Sequence, residues 1–324
     1  MKRIPDFLRV IEEDLRQVEA ELHRQVEAIG IPVLAEASAH LLAAGGKRLR
    51  PALALLAGRL CNSPLTRLLP LAVALELIHM ATLVHDDVVD KSATRRGQPT
   101  VRARWGDQLS LHAGDYLFAR SLLLVAEYRD YRVATALARV SVNMCQGEIR
   151  QMASEYDVRQ GLKDYLFRIK AKTALLISAS CALGALVAGA AEEVVRRLGA
   201  YGYYLGMAFQ ITDDILDLEA SEEELGKPVA SDLRQGILTL PTVYALRSSS
   251  HREELAAVIS GRHLDEGKIR RALELIHECG ALEFSRRVAA RYLEKARRKL
   301  EGLPGGQPRE ALAAVADFVG QRRF

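Results

Sequence analysis

Two acidic motifs of the same form, DDxxD, occur far apart in the chain. The first occupies 86–90, within "HDDVVD", and the second occupies 213–217, within "TDDILD". Residues four apart on an α-helix share one face, about 6 Å from each other, so the outer aspartates of each motif point the same way. Clustered carboxylates repel one another, and Mg²⁺ is the simplest stabiliser because it takes carboxylate oxygens and bridges to phosphates. The predicted metal ligands are Asp86, Asp87, Asp90, Asp213, Asp214 and Asp217.

Each motif taken singly is also explained by a solvated patch near a helix end, since aspartates are common on surfaces. Both motifs, however, follow a mostly apolar stretch, "ELIHMATLV" in one case and "YLGMAFQI" in the other. This repetition favours carboxylates that line a cavity. A transition metal bound through His79 or His85 is a further alternative, but one histidine per acid-rich motif is a poor zinc pattern.

Basic residues accompany both acidic motifs. "GGKRLRP" places three cations at a glycine-rich turn that enters a helix, a favourable place for an anion. "RRG" follows the first acidic motif, "RIKAKTALL" opens a long apolar segment, and "GKP" follows the second acidic motif. The cations of this group are Lys47, Arg48, Arg50, Arg95, Arg96, Lys172 and Lys227. They suit a site in which carboxylates hold Mg²⁺, the metal holds one diphosphate, and a separate set of bases holds a second diphosphate.

Helical periodicity dominates the elements that must position these groups. Apolar residues recur at three- and four-residue spacing, and no run of alternating β-branched residues occurs. The periodic segments are 5–29, 65–91, 105–127, 131–156, 160–189, 191–219, 264–279 and 281–302. The glycine- and proline-containing turns between them are too short to be domain linkers. We therefore predict one all-α domain spanning residues 1–324, with a terminal helix after Pro308.

Composition excludes several classes of protein. The four cysteines form no CxxC pair, and the net charge of +4 is spread along the chain, which argues against zinc, disulfides and nucleic acid as a partner. The segment Thr173–Ala191 carries no charge over 19 residues, which is close to membrane-spanning length. Because it is rich in Ala, Ser and Gly, a buried core helix is favoured over a transmembrane span. We predict a cytoplasmic protein.

These motifs, in this order, resemble the trans-prenyltransferases, the polyprenyl diphosphate synthases. The shared landmarks are "GGKRLRP", "LIHMATLVHDDVVDKSATRRGQPT", "KAKTALL", "GMAFQITDDILDLEA" and "GKPVASDLRQGILTLP", and the similarity covers roughly residues 30–320. The resemblance implies an orthogonal bundle of long helices around a deep central cavity, with two or three Mg²⁺ ions per site. It also implies chain elongation, in which an allylic diphosphate, farnesyl diphosphate above all, is condensed with isopentenyl diphosphate.

The resemblance further implies a role for each matching residue. Asp86, Asp90 and Asp213 are expected to bind Mg²⁺ directly, and Asp87, Asp214 and Asp217 directly or through water. Arg95, Lys172 and Lys227 are expected to bind the allylic diphosphate, and Lys47, Arg50, His79 and Arg96 the isopentenyl diphosphate. Thr173 and Gln210 are expected to face the developing carbocation. Many relatives carry a lysine where Ile237 stands here, and Arg234 is a candidate replacement.

Product length is expected to depend on residues one or two turns before Asp86. These chain-length residues are Leu77, Ile78, Ala81 and Thr82. In the family a large aromatic side chain at the position of Ala81 stops elongation early, so alanine predicts a long product. The details most resemble the large catalytic subunit of hexaprenyl and heptaprenyl diphosphate synthases, which make the menaquinone side chain with a small helical partner. A homodimer is the other expected assembly.

Three rival functions remain open from the sequence. A shorter-chain farnesyl or geranylgeranyl diphosphate synthase shares most of the motifs. A non-catalytic regulatory subunit would typically have lost an acidic motif, and both are intact here. A terpene cyclase needs no second diphosphate pocket, and "GGKRLRP" and "RRG" argue against it.

Overall fold

The structure, a computed structural model, describes residues 5–219, 229–262 and 264–321 and is helical almost throughout. A 3₁₀ helix, Asp6–Ile11, leads into the first α-helix. The α-helices are α1 Glu12–Glu27, α2 Pro32–Ala43, α3 Leu49–Leu60, α4 Leu65–Val89, α5 Val101–Ala126, α6 Tyr131–Ala153, α7 Leu162–Ile169, α8 Leu175–Val187, α9 Glu192–Glu219, α10 Ser231–Arg234, α11 Leu240–Ser248, α12 Arg252–Ser260, α13 Glu266–Glu278, α14 Ala281–Leu300 and α15 Gln307–Gln321. The strands are β1 Thr94–Arg95 and β2 Gln98–Pro99, and a π-turn, Lys170–Ala174, joins α7 to α8. The prediction of an all-α fold is confirmed.

The described residues form two compact units, each built from separate stretches of chain. The first unit contains residues 5–138, 176–202 and 299–315, and the second contains 139–175, 203–298 and the end of α15. The first acidic motif lies in the first unit, and the second motif lies in the second. The organisation of 1–324 as a single domain stays a prediction.

Helix α4 carries the first acidic motif and packs against α1, α2, α3 and α5. Pro70 lies inside α4 and cannot donate the backbone hydrogen bond of a regular helix. Beside it, the hydroxyl of Tyr128 donates to the carbonyl oxygen of Arg67 at 2.6 Å and accepts from the backbone N–H of Leu71 at 2.9 Å. One hydroxyl thus bridges the two groups that an unbroken helix would pair directly, and α4 continues to its acidic end.

The second unit has its own apolar core under the second acidic motif. Tyr165, Met207, Ile211 and Leu238 are among its members, each no more than 1% exposed. Because this core fixes the inner face of α9, the aspartates of the second motif are held on a rigid element.

Two helical stretches are long and apolar enough to cross a membrane by length and composition, Leu65–Val89 and Leu162–Val187. In their most apolar windows, 67% and 61% of the residues are buried by the rest of the protein. Such burial is typical of core helices in soluble proteins. The second stretch includes most of the uncharged segment that begins at Thr173.

Candidate active site

The first acidic motif stands at the C-terminal end of α4. Asp86 and Asp90 are half-buried, whereas Asp87 is 2% exposed. Arg95 donates from Nε to Asp87 Oδ1 at 2.9 Å, and its Nη2 lies 2.8 Å from the same oxygen. Burial raises the pKa of Asp87, and the charge of Arg95 opposes that shift. The middle aspartate therefore holds an arginine, while the outer two are the pair spaced for one ligand.

A short β-hairpin presents the two arginines that follow this motif. β1 and β2 pair antiparallel, and the two residues between them, Arg96 and Gly97, have φ values of 54° and 75°. Positive φ at both central positions is what a type I′ turn requires, and for arginine it is a strained conformation of the kind found at functional sites. Arg95 pairs with Asp87, while Arg96 lies beside Gly46, where a Cβ would be 3.1 Å from its Nη1.

A cluster of guanidinium groups surrounds His79, which is half-buried on α4. Burial, followed by the charges of Arg50, Arg96, Arg95 and Arg48, holds the pKa of His79 well below its ordinary value. Because the imidazole is neutral and the arginines outnumber the carboxylates that pair with them, this region carries a positive charge. Such a region suits a polyanion such as a diphosphate.

Arg48, one of the cations of the glycine-rich turn, forms hydrogen bonds to carboxylates of the protein. Its Nε and Nη2 donate to Glu19 at 2.8 and 3.0 Å, and its Nη1 donates to Glu76 at 2.9 Å. Its φ of 47° shows a left-handed backbone just before α3. Arg48 thus anchors the turn that presents Lys47, which is exposed, and Arg50.

The second acidic motif lies at the end of α9. Asp213 is half-buried, whereas Asp214 and Asp217 are each 3% exposed. Asp217 accepts hydrogen bonds from Ser231 Oγ at 2.8 Å and from the backbone N–H of Asp232 at 3.1 Å. These bonds tie the end of α9 to α10.

Asp214 is held by two side-chain donors. Tyr165 donates its hydroxyl to Oδ2 at 2.7 Å, and Gln210 donates Nε2 to Oδ1 at 2.9 Å. Burial raises the pKa of Asp214 to about 6, with both hydrogen bonds opposing the shift. Within both motifs the middle carboxylate therefore turns to protein donors.

The π-turn Lys170–Ala174 places Lys172 and Thr173. It is pressed between two glycines, since a Cβ at Gly147 of α6 would lie 2.8 Å from Ala171 Cβ and one at Gly206 of α9 would lie 2.6 Å from Ala174 Cα. Lys172 Nζ lies 2.5 Å from Glu148 Oε2 and donates to Gln151 Oε1 at 3.0 Å. Thr173 donates Oγ1–H to Gln210 Oε1 at 2.7 Å. The two residues expected to face a carbocation are therefore hydrogen-bonded to each other.

The half-buried aspartates fit a hard divalent cation by donor chemistry, because all are carboxylates and Asp86 and Asp90 are four residues apart. In the described part of either unit, no three His, Cys, Asp or Glu side chains form a preassembled metal-holding group. A cation at these residues therefore needs oxygens from water or substrate phosphate as well, as Mg²⁺ usually does.

The remaining predicted site residues fall into three groups. Lys227 lies outside the described residues. Leu77, Ile78 and Ala81 are 0%, 2% and 2% exposed, so little open space adjoins them and their role in chain length stays a prediction. Thr82 is half-buried and donates to the carbonyl oxygen of His79 at 2.8 Å.

Arg234, the candidate replacement for the lysine absent at position 237, is paired with a carboxylate in this structure, and its role at the site stays a prediction. Ile237 is 9% exposed, and the Nη1 and Nη2 of Arg234 donate to the two carboxylate oxygens of Glu266 at 2.7 and 2.8 Å. A bidentate carboxylate pair satisfies that guanidinium.

Several site residues were not foreseen from the sequence, namely Glu19, Glu76, Glu148, Gln151 and Tyr165. Glu76 could have been identified from the sequence, because it is a lone acid within an apolar helix. A buried acid of this kind requires a partner. Glu148 and Gln151 are three apart in "GEIRQM" and so share a helix face. Tyr165 carried no sequence signal.

Comparisons with known proteins show which family the chain belongs to. The model of the polyprenyl synthetase family matches residues 31–276. The chain is 48% identical over 314 residues to heptaprenyl diphosphate synthase component 2 of Geobacillus stearothermophilus, covering 97% of each chain.

Two solved structures share the fold. Heptaprenyl diphosphate synthase from Staphylococcus aureus is 35% identical with a TM-score of 0.91, covering 97% of this chain and 99% of that one. Polyprenyl synthase from Caulobacter crescentus CB15, complexed with calcium and isoprenyl diphosphate, is 40% identical with a TM-score of 0.91, covering 98% and 97%. The chain therefore belongs to the polyprenyl synthetase family and is a trans-prenyltransferase with the all-α isoprenoid synthase fold.

Proposed function

We propose that this protein elongates an allylic diphosphate by Mg²⁺-dependent, head-to-tail condensation with isopentenyl diphosphate. Farnesyl diphosphate is the primer, and the product is an all-trans chain of hexaprenyl or heptaprenyl length or longer, destined for a quinone side chain. The observation that carries the proposal is that the middle aspartate of each acidic motif is buried and held by protein donors, whereas Asp86, Asp90 and Asp213 are half-buried. Asp86 and Asp90 are also spaced for one cation. The name of the Geobacillus relative supports the product length.

The metal-binding residues are Asp86, Asp90 and Asp213, with Asp87, Asp214 and Asp217 acting directly or through water. Mg²⁺ held there would neutralise charge on the diphosphate as the allylic C–O bond breaks. The calcium and isoprenyl diphosphate bound by the Caulobacter relative support a divalent cation beside a diphosphate.

The cations of the chain divide between two diphosphates. Lys47, Arg50, His79 and Arg96 bind isopentenyl diphosphate, and Arg95, Lys172 and Lys227 bind the allylic diphosphate. The oxygens of Thr173 and Gln210 face the allylic cation, which the isopentenyl double bond attacks. The proton released in forming the new double bond goes to the departed diphosphate.

A partner subunit binds to an apolar stripe on α6. Val142, Ile149 and Met152 are 57%, 66% and 51% exposed, and their spacing of seven and three residues places them on one helix face. Exposed apolar residues in such a row are typical of a subunit interface. The designation of the Geobacillus relative as component 2 of its synthase supports a second subunit. A homodimer is the alternative assembly, and the complex is cytoplasmic.

The proposal is tested by removing one outer aspartate from each motif. Asp86→Ala and Asp213→Ala should each reduce turnover about 100-fold or more at saturating Mg²⁺, because stabilisation of the leaving diphosphate is lost. Incorporation of labelled isopentenyl diphosphate into extractable product measures turnover. Asp6→Ala, at an aspartate whose side chain is 75% exposed, is the matched control. Near wild-type turnover in either motif variant would contradict the metal site.

A further inference from the structure

A chain of three hydrogen bonds links the two carbocation-facing residues to a phenol deep in the second unit. Thr173 donates to Gln210 at 2.7 Å, Gln210 donates to Asp214 at 2.9 Å, and Tyr165 donates to the other oxygen of Asp214 at 2.7 Å. Tyr165 is 0% exposed and Asp214 is 3% exposed. The far end of the chain is thus sealed from solvent.

The direction of every bond in this chain is fixed by its two ends. An ionised carboxylate only accepts hydrogen bonds, so the amide nitrogen of Gln210 must face Asp214. The amide oxygen of Gln210 then faces Thr173 and accepts a hydrogen bond from it. That bond uses the single hydroxyl proton of Thr173. Thr173 therefore keeps only oxygen lone pairs for whatever lies beside it, and Gln210 keeps the remaining lone pair of its amide oxygen and its second N–H.

Tyr165 supplies the other fixed end. Its hydroxyl lies 2.7 Å from Asp214 Oδ2 and donates to it, since the carboxylate oxygen is the acceptor. The guanidinium of Arg168 lies 5.5 Å from the ring centre, and that arginine donates to the carbonyl oxygen of Leu238 at 2.6 Å. The ring is thereby clamped in the core.

The backbone makes this arrangement rigid. Tyr165 and Thr173 stand on either side of the start of the π-turn Lys170–Ala174, and both bond to residues of α9. The close contact of Ala174 with Gly206, one turn before Gln210, brings the turn against α9. A hydrogen bond at each end then sets how the turn lies on the helix.

We propose that Tyr165 is a positioning residue for the reaction. By holding Asp214, it fixes the orientation of the Gln210 amide and so directs the oxygens of Gln210 and Thr173 at the developing cation. This inference rests on the proposed function, since the cation is that of the elongation reaction. Groups oriented in advance stabilise charge without reorganising as the transition state forms.

Loss of the phenolic hydroxyl should weaken stabilisation of the developing carbocation and leave substrate binding unchanged. Without it, one oxygen of a buried carboxylate has lost its donor, and the carboxylate turns to recruit the Gln210 amide or water. The amide then no longer holds its oxygen toward Thr173. The diphosphate-binding cations are untouched.

The test compares Tyr165→Phe with Tyr201→Phe in the assembled enzyme. Tyr201 is also 0% exposed, and its hydroxyl donates to the backbone carbonyl of Leu312 at 2.6 Å, so each variant removes a buried phenolic donor. Tyr165→Phe should lower kcat about tenfold with both Michaelis constants within about twofold of wild type. Tyr201→Phe should leave kcat within about twofold. Unchanged kcat in Tyr165→Phe, equal loss in both variants, or a rise in KM instead would overturn the proposal.

A double-mutant cycle separates positioning from general damage. In a Thr173→Val background the chain is already broken, so Tyr165→Phe should reduce kcat far less than it does in wild type. If the two substitutions reduced kcat independently, so that their fold-losses multiplied in the double variant, the proposal would be overturned. If Tyr165→Phe does not fold, Tyr165→Met, which also removes the hydroxyl and leaves Asp214 in place, is used in the same cycle. Elongation by the wild-type enzyme tests the proposed function separately, since it does not depend on how Tyr165 acts.

Discussion

At the scale of single residues, the middle carboxylates of the two acidic motifs are both held by protein donors, but the donors differ. The middle carboxylate of the first is paired with Arg95, whereas that of the second is held by Tyr165 and Gln210. Both are buried, and a buried carboxylate requires such donors. In each motif the middle carboxylate therefore binds the protein, while the first aspartate stays half-buried.

His79 makes the free energy of unfolding depend on pH. Burial and the surrounding arginines hold its pKa well below the ordinary value, so the folded protein keeps it neutral while the unfolded chain protonates it below about pH 6.5. As the pH falls below that value, the unfolded state binds more protons than the folded state. The free energy of unfolding then decreases, by at most about 1.4 kcal/mol per pH unit from this residue, until the folded pKa is reached.

Replacement of His79 should remove this pH dependence. His79→Gln should show a flatter fall in the free energy of unfolding between about pH 6.5 and 5, measured by urea denaturation. His112→Gln, at an exposed histidine on α5, is the control. An acid-induced loss of stability in His79→Gln as steep as in wild type would show that other groups are responsible.

At the scale of elements, the sequence predicted long helices well and local irregularities poorly. The segments predicted at 65–91, 131–156 and 191–219 agree with helices within a few residues of each end, because many apolar repeats define a face. Helices α10, α11 and α12 were missed because four to nine residues contain too few repeats.

The irregular elements at the site escaped prediction for physical reasons. The strands around Arg96 have two residues each, too short for an alternating pattern. The π-turn at Lys172 shifts the helical phase by a single residue at the charged start of an apolar run, a shift that is too small for hydrophobic periodicity to reveal. The motif aspartates and cations were predictable because the residue types themselves indicate the chemistry. Tyr165 was not, because a buried tyrosine looks like any other core residue.

Tyr128 is predicted to stabilise α4 at its proline. Tyr128→Phe leaves the carbonyl of Arg67 and the N–H of Leu71 without the bridging hydroxyl, which should lower the free energy of unfolding by about 1–3 kcal/mol. Burial raises the pKa of this tyrosine to about 12, so the hydroxyl stays protonated and the effect should not vary between neutral and mildly alkaline pH. Thermal and urea unfolding measure the change.

Tyr131 offers the control for this substitution. Its side chain is 77% exposed at the start of α6, so Tyr131→Phe should change stability by less than about 0.5 kcal/mol. Equal stabilities of the two variants would mean that the bridging hydroxyl contributes nothing to α4.

At the scale of the whole molecule, the apolar stripe on α6 predicts how the protein assembles. Ile149→Arg places a charge among exposed apolar side chains and should abolish association with the partner subunit, or between two copies, at micromolar concentration. Sedimentation velocity of the mixed and separate proteins measures this. Gln17→Arg adds the same charge at an exposed position of α1, away from the stripe, and should leave association intact. Undiminished assembly of Ile149→Arg would move the interface elsewhere.

The size of the product tests the proposed elongation most directly. The purified protein, with its small partner subunit present, is incubated with labelled isopentenyl diphosphate, farnesyl diphosphate and Mg²⁺, and the dephosphorylated products are sized by reversed-phase thin-layer chromatography. We expect a ladder of intermediates that ends at hexaprenyl or heptaprenyl length or beyond, and no product when the metal is chelated. A product that stops at geranylgeranyl length would identify a shorter-chain synthase, and the absence of any labelled product with the partner present would identify a non-catalytic subunit; either result would contradict long-chain elongation by this protein.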